Sequence, residues 1–370
     1  MIDTRVSRLE NRSCKDTART IAAGKPLLQS RSCNAAPIKM PRLCAAVLLL
    51  LASTAVAETL RPVNTYSIVA RDPETGQLGV ATQSHWFSVG ATVPWAQSGV
   101  GAVATQSFAE PAYGARGLVL MGEGQSAPEA LTALVSEDSG EAVRQVAMID
   151  AQGRVAVHTG SKTIAAAGHH VGENYAVAAN LMTDESVWPA MAEAFEQAKG
   201  DLAERLLVAL EAAQAAGGDI RGKQSAAILV VKGEPSGKPW NDRLFDLRVE
   251  DHPTPVAELR RLVRLQRAYH KLNEGDEWVA QGDMERAMEA YRAATGLVPD
   301  RATNGEAAFW TGIALVGAGR ADEALPWLRR AAAVDSNWIK LVPRLVTTDL
   351  VPDDPALLEY LRAGMENDTE

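Results

Sequence analysis

Between residues 66 and 249 short β-rich runs alternate with stretches of helical periodicity. Residues 66–71 and 78–83 flank Asp72-Pro73-Glu74-Thr75-Gly76, a turn-rich spacer that predicts a hairpin. Residues 99–106 predict a third strand. Residues 145–150 and 154–159, around Ala151-Gln152-Gly153, predict a second hairpin, and 175–182 predict another strand. Ser126-Ala127-Pro128-Glu129 has the form of a capping box, with Ser126 as N-cap, opening a helix that runs to about Val135. A longer helical stretch over 187–216 sets Leu202, Leu206, Leu207 and Leu210 on one face and ends at Gly217-Gly218. Residues 225–232 predict a buried strand and 243–249 a final edge strand. Hairpins joined by tight turns favour antiparallel sheets covered by helices, so the expected fold class is α+β, a layered sandwich rather than a doubly wound parallel sheet.

Beyond Asp251-His252-Pro253-Thr254-Pro255, which reads as a linker, the pattern is helical and repetitive. Gly275, Trp278, Gly282, Ala287, Tyr291 and Ala294 recur as Gly312, Leu315, Gly319, Ala324, Leu328 and Ala331, a shift of 37 residues, while Pro299 has no counterpart. Small residues let paired helices approach and large ones fill the space between them. The pattern resembles the tetratricopeptide (TPR) repeat, whose usual period is 34 residues. Helices expected over 256–272 and 354–363 would cap the repeats in an all-α domain spanning 256–370.

The longest apolar run, 43–57, changes the picture of where the chain works. It follows Met40-Pro41-Arg42 and ends in Ala55-Val56-Ala57, the form of a secretory signal peptide over 40–57. At this length it is too short to span a bilayer, which takes about 20 residues. Cleavage after Ala57 would give an exported protein, periplasmic or secreted. Residues 1–39 are polar and basic without apolar periodicity, as expected of an over-extended start or a disordered segment. Cys14, Cys33 and Cys44 all precede the expected cut. The mature chain would therefore hold no thiol nucleophile, no Cys-ligated zinc and no disulfide.

With 46% hydrophobic and 22% charged residues, the composition is that of an ordinary globular protein. A net charge of -9 argues against a nucleic-acid partner, although it leaves room for a local basic pocket. No G-x-S-x-G elbow, P-loop or H-E-x-x-H helix occurs. His169 and His170 are adjacent, and on a strand they would point to opposite faces, so neither a metal site nor a cofactor is expected.

Asn64-Thr65-Tyr66-Ser67-Ile68-Val69-Ala70-Arg71-Asp72 opens a set of runs in a characteristic order. Leu78-Gly79-Val80-Ala81, Phe87-Ser88-Val89-Gly90, Val93-Pro94-Trp95-Ala96 and Gly99-Val100-Gly101-Ala102-Val103-Ala104-Thr105-Gln106 follow. Gly217-Gly218-Asp219-Ile220-Arg221-Gly222-Lys223-Gln224-Ser225-Ala226-Ala227 completes it. Over residues 65–250 the chain resembles the family DUF1028, which is grouped with the N-terminal-nucleophile (Ntn) hydrolases. The resemblance implies a four-layer αββα sandwich over 58–250. It also implies a first residue whose side chain attacks an amide carbonyl while its own α-amine serves as base. Thr65 stands at that position, and a cut between Asn64 and Thr65, by the chain itself or by another protease, is needed to free its amine. Asn180 is the candidate oxyanion donor. His85, Asp219, Arg221, Gln224 and Ser225 are the candidate substrate-binding residues, several of them in a helix-to-strand loop where site residues collect. The expected function is an amidohydrolase acting on a small amide or peptide bond. The alternative is a non-catalytic exported binding protein whose TPR-like module takes a protein partner. Fold-level analogy also allows a homo-oligomer.

Overall fold

The computed structural model describes residues 63–366. The expected start at 1–39 and signal peptide at 40–57 lie outside them. Strand β1 (Thr65–Arg71) turns into β2 (Leu78–Ser84) at Asp72, whose carboxylate accepts from the Glu74 and Thr75 amides at 2.9 and 3.0 Å. Strands β3 (Pro94–Gln97) and β4 (Gly101–Ser107) follow, then helices α1 (Ala112–Gly122) and α2 (Ala127–Glu137). The capping box forms: Ser126 Oγ accepts from the Glu129 amide and Glu129 Oε2 from the Ser126 amide at 2.7 Å.

Next come β5 (Arg144–Asp150), β6 (Val155–Thr159), β7 (Gly168–Gly172) and β8 (Tyr175–Ala179). The expected helix over 187–216 is two helices, α3 (Val187–Gln197) and α4 (Leu202–Ala215). Gly200 at φ 106° breaks the run and Asp201 caps the second helix by accepting from the Glu204 amide at 2.8 Å. Strands β9 (Ser225–Val231) and β10 (Arg243–Val249) complete two antiparallel sheets, ordered β10-β9-β2-β1-β8-β7 and β3-β4-β5-β6 among the described residues.

Strand alternation divides the side chains between three apolar layers. On β1, Tyr66, Ile68 and Ala70 pack with Phe195, Leu206 and Leu210 of α3 and α4. Val69 of the opposite face joins Val80, Ala102, Ala104 and Ile149 between the sheets. Val103, Val146 and Met148 meet Leu118, Leu131 and Leu134 of α1 and α2. The two sheets thus stack face to face, with α1 and α2 outside one and α3 and α4 outside the other.

The helical region follows directly. Helix α5 (Pro255–Ala280) lies on β9, β10 and α4, and its Val256, Leu259 and Val263 belong to the sheet-side core. Its Leu272 belongs to a second core with α6 (Met284–Leu297), α7 (Glu306–Gly317), α8 (Ala321–Val334) and α10 (Pro355–Glu366); the short α9 (Asn337–Leu341) precedes α10. Helices α5 with α6 and α7 with α8 form two pairs with matching contacts. A Cβ on Gly275 would come within 2.3 Å of the Tyr291 ring, and one on Gly312 within 2.7 Å of Leu328. These contacts stand 37 residues apart, the shift seen in the sequence. Among the described residues no helix is long and apolar enough to cross a membrane.

Candidate active site

The space between the sheets is apolar toward one end and polar at the other. Thr65 and Ser67 share the inner face of β1 with Val69. Opposite them stand Gln106 of β4 and Gln145 of β5, with Asn180 just past β8. All are buried. Ser67 Oγ donates to Gln106 Oε1 at 2.6 Å, and Gln106 Nε2 reaches Gln145 Oε1 at 2.7 Å and the Ala178 carbonyl at 3.1 Å. Gln145 Nε2 donates in turn to Thr159 Oγ1 at 3.0 Å and the Ala179 carbonyl at 3.0 Å. The chain ends at Thr159 Oγ1, 2.9 Å from His169 Nδ1. Burial, followed by His158 and His170, holds that imidazole below its usual pKa.

This network grips the main chain of Thr65. Its carbonyl accepts from the Asn180 amide at 3.1 Å, Gln106 Nε2 at 3.3 Å and Asn180 Nδ2 at 3.4 Å. Asn180 Nδ2 also donates to Gln145 Oε1 at 2.9 Å, which leaves Asn180 Oδ1, an acceptor, as the side-chain atom without a partner. As placed, Asn180 orients Thr65 and aims no spare donor at an incoming oxygen.

The residues before Thr65 are woven into the fold. Val63 bridges Ser107 antiparallel, and Thr65 Oγ1 donates to the Val63 carbonyl at 2.9 Å. Asn64 is 1% exposed and its carboxamide has no hydrogen-bond partner on either atom. A buried orphan polar group costs about 1–3 kcal/mol. Its carbonyl is well served, however: Arg221 Nη2 donates at 2.9 Å and Ser84 Oγ donates from the end of β2.

Arg221 is aimed by Asp219. The carboxylate takes Arg221 Nε at 3.0 Å and Nη2 at 2.7 Å, and is itself fixed by the His85 amide at 3.1 Å and the Arg221 amide at 2.9 Å. A bridge from Met182 to Asp219 ties this loop to the end of β8. Burial first, then the Asp219 carboxylate, pushes the Tyr66 phenol well above its usual pKa. It therefore stays neutral and its hydroxyl donates to Gln214 Oε1 at 3.2 Å.

Asn180 thus holds the carbonyl of Thr65 while Arg221, aimed by Asp219, holds that of Asn64, so these residues converge on the two peptide bonds that flank Thr65. His85 joins them through its backbone, while its exposed ring lies over Gly222. Ser225 is one step removed: its hydroxyl donates to the Trp86 carbonyl and accepts from the Val89 amide at 3.1 Å, bracing the loop after β2. Gln224 contributes backbone bonds to the Ser84 carbonyl and from the His252 amide. Ser84, Ser67, Gln106 and Gln145 escaped the sequence reading. Their signal was a polar side chain at an inward position of an otherwise apolar strand, where burial is exceptional without a partner. Among the described residues no cluster of three or more His, Cys, Asp or Glu is placed to hold a metal ion.

The family model described as a family of unknown function, DUF1028, matches residues 65–259, more than half of the chain. The chain belongs to DUF1028. A solved DUF1028 structure, from Silicibacter pomeroyi, is 33% identical and covers 54% of this chain and 88% of its own, with a TM-score of 0.49. No curated protein matches. The DUF1028 match opens on Thr65 and closes inside α5, so it takes in the site residues from Thr65 onward, leaves out Val63 and Asn64, and includes none of the second helical core.

Proposed function

We propose that the chain is an exported amidohydrolase of the Ntn type, cleaving a small amide or peptide bond with Thr65 as nucleophile once residues through Asn64 are gone. One observation carries this reading: the Asn64 carbonyl, one bond from Thr65, is held by a guanidinium and a hydroxyl. Donors at such an oxygen stabilise the negative charge that forms when a nucleophile adds to the carbonyl carbon. The helix-sheet-sheet-helix stacking fits the αββα arrangement of that enzyme type, and the two helix pairs are read as a TPR-like module. Export rests on the run 43–57.

The burial of this bond favours self-cleavage over a separate protease, which needs an exposed, extended strand. Thr65 Oγ attacks the Asn64 carbonyl carbon; the C–O bond forms as C–N breaks, and the hydroxyl proton passes to the Thr65 nitrogen. Water then hydrolyses the ester, releasing the Asn64 carboxylate and restoring the hydroxyl. The freed α-amine, with an ordinary pKa of about 7.7–8.0, is neutral and able to act as a base in roughly a tenth to a sixth of molecules at pH 7. It would take the Thr65 proton during attack on substrate. Intact-mass analysis of purified protein tests this directly: a chain beginning at Thr65 is expected. An active preparation that retains Asn64 overturns the mechanism.

A second reading, a binding protein on an Ntn-like scaffold, is favoured by a cavity of about 770 Å³ in the helical region, lined by Val279, Met284, Tyr291, Trp310, Ile313 and Leu350. Deleting residues 281–370 separates the two. Amide hydrolysis that survives the deletion supports the enzyme, and loss of partner capture alone supports binding.

A further inference from the structure

The donors on the Asn64 carbonyl raise the question of what they hold once Asn64 has gone; the inference rests on the Thr65 reading. Arg221 Nη2 and Ser84 Oγ would both lose their acceptor. Ser84 is buried, and Arg221 keeps its position because Asp219, whose side chain is fully buried, clamps it through two nitrogens. A pre-aimed guanidinium beside a hydroxyl suits a planar oxyanion, since charge-assisted bonds of this kind are short and strong.

Three further observations give the acceptor its charge. The first species this pair would meet after self-cleavage is the Asn64 carboxylate, so the processing product already has that chemistry. The segment Asp219-Ile220-Arg221-Gly222-Lys223 carries one acid against two bases, in a chain whose net charge is -9. The exposed His85 ring stands over Gly222 beside them. The Arg221 side chain is 27% exposed, so the guanidinium faces both the buried bond and the solvent. Phe87 and Ile220, 63% and 60% exposed, sit on the two loops joined by the His85–Asp219 bond and offer apolar contact nearby.

We propose that Arg221 and Ser84 form a carboxylate subsite next to the catalytic amine, and that the substrates are amides carrying a free carboxylate close to the scissile carbonyl, of the N-acyl amino acid class. Asp219 acts as a positioning residue for this subsite.

The test uses the full chain carrying Thr65→Ala, in which Asn64 stays in the pair, and a chain made to start at Thr65 by removing an engineered leader. Each is titrated with N-acetylglycine and with its neutral counterpart N-acetylglycinamide, following thermal midpoint and near-UV circular dichroism. A ligand that binds only the folded state raises the midpoint even of a marginal protein. The shortened chain is expected to be stabilised by the acid and at least about tenfold less sensitively by the amide, the loss expected for a charged hydrogen bond. The Thr65→Ala chain, with Asn64 in place, should respond to neither. Arg221→Gln should abolish the preference and Arg221→Lys should keep part of it. Equal responses to acid and amide, an unchanged preference in Arg221→Gln, or a shortened chain that gains no structure with either compound overturns the subsite. Because the Thr65 start is supplied by the leader, these outcomes stand apart from self-cleavage. Protein that trims itself and hydrolyses amides but ignores the carboxylate refutes the subsite alone.

Discussion

The two halves of this molecule bury different things. Between its sheets the α/β half encloses Thr65, Ser67, Gln106, Gln145 and Asn180, linked by side-chain bonds. The core of the helical half is almost wholly apolar; its buried polar residues among those described are Thr303 and Thr311. Its charges lie outside, as in Arg330 with Asp300 at 2.8 Å. An apolar core needs only matching shapes, which a repeated pattern of small and large residues supplies. A buried polar network is costly unless every member finds a partner, and it then specifies one arrangement of the main chain. Here that arrangement centres on the carbonyl of Thr65. The difference separates a half built for position from a half built for surface.

The comparison is sharpest where one half can be disabled alone. Thr65→Ala should stop trimming at Asn64 and lower amide hydrolysis by about 10⁴–10⁶-fold, as loss of a nucleophile does, while removing one hydrogen bond worth about 1 kcal/mol. Mass spectrometry, an amidase assay and a melt check the three parts. Phe309→Ala is the converse. Phe309 is fully buried against Trp338, with ring centres 4.5 Å apart, and its truncation should cost about 3–5 kcal/mol. Trimming at Asn64 should continue below the new melting point; if it stops, the halves are one cooperative unit. Gly275→Ala presses a methyl group into Tyr291 and should cost about 1–3 kcal/mol in a denaturant titration, again without effect on trimming.

The smallest effect concerns the seam between the halves. Arg260 and Arg267 on α5 reach Glu204 of α4 at 2.5 and 3.2 Å, and Arg267 reaches Asp201 at 2.6 Å. Burial works against the Glu204 charge, but these two arginines hold its carboxyl below the usual range. A depressed folded pKa contributes stability above the unfolded value, about 4.3, that disappears as pH falls through the lower folded value. Acidification across that window should weaken the seam by no more than about 1 kcal/mol, since the pair is partly solvated. Glu204→Gln should flatten this part of the stability profile in melts recorded against pH.

Much of the architecture was legible in the residues. The hairpin at Asp72–Gly76, the capping box at Ser126 and the edge position of β10 depend on local chemistry, which a single stretch of chain contains. The 37-residue shift gave the matching contacts of Gly275 and Gly312. The strands at 94–97 and 168–172 were not read, because β3 begins with Pro94 and β7 is short, partly exposed and bounded by glycines. Helix α1, rich in glycine at Gly114 and Gly117, hid its periodicity; both glycines let the helix lie close to Trp95 and Met148. In the site, Thr65 and Arg221 were found by resemblance, whereas Ser84, Gln106 and Gln145 were not. What makes them matter is a meeting of β2, β4 and β5 with β1 that no local window records. For the same reason no local window shows that the side-chain nitrogen of Asn180 is engaged by Gln145 and the Thr65 carbonyl.

One detail of the Asn64 carbonyl reaches into the protein's life history. Its two hydrogen-bond donors come from positions 84 and 221, brought together only by the pairing of β2 with β1 and β9. On the proposed route, a newly made chain would be unable to activate that bond before this sheet is assembled. Maturation by this route would act as proofreading: a misfolded copy stays inert, and the trimmed terminus certifies that the sheet was built.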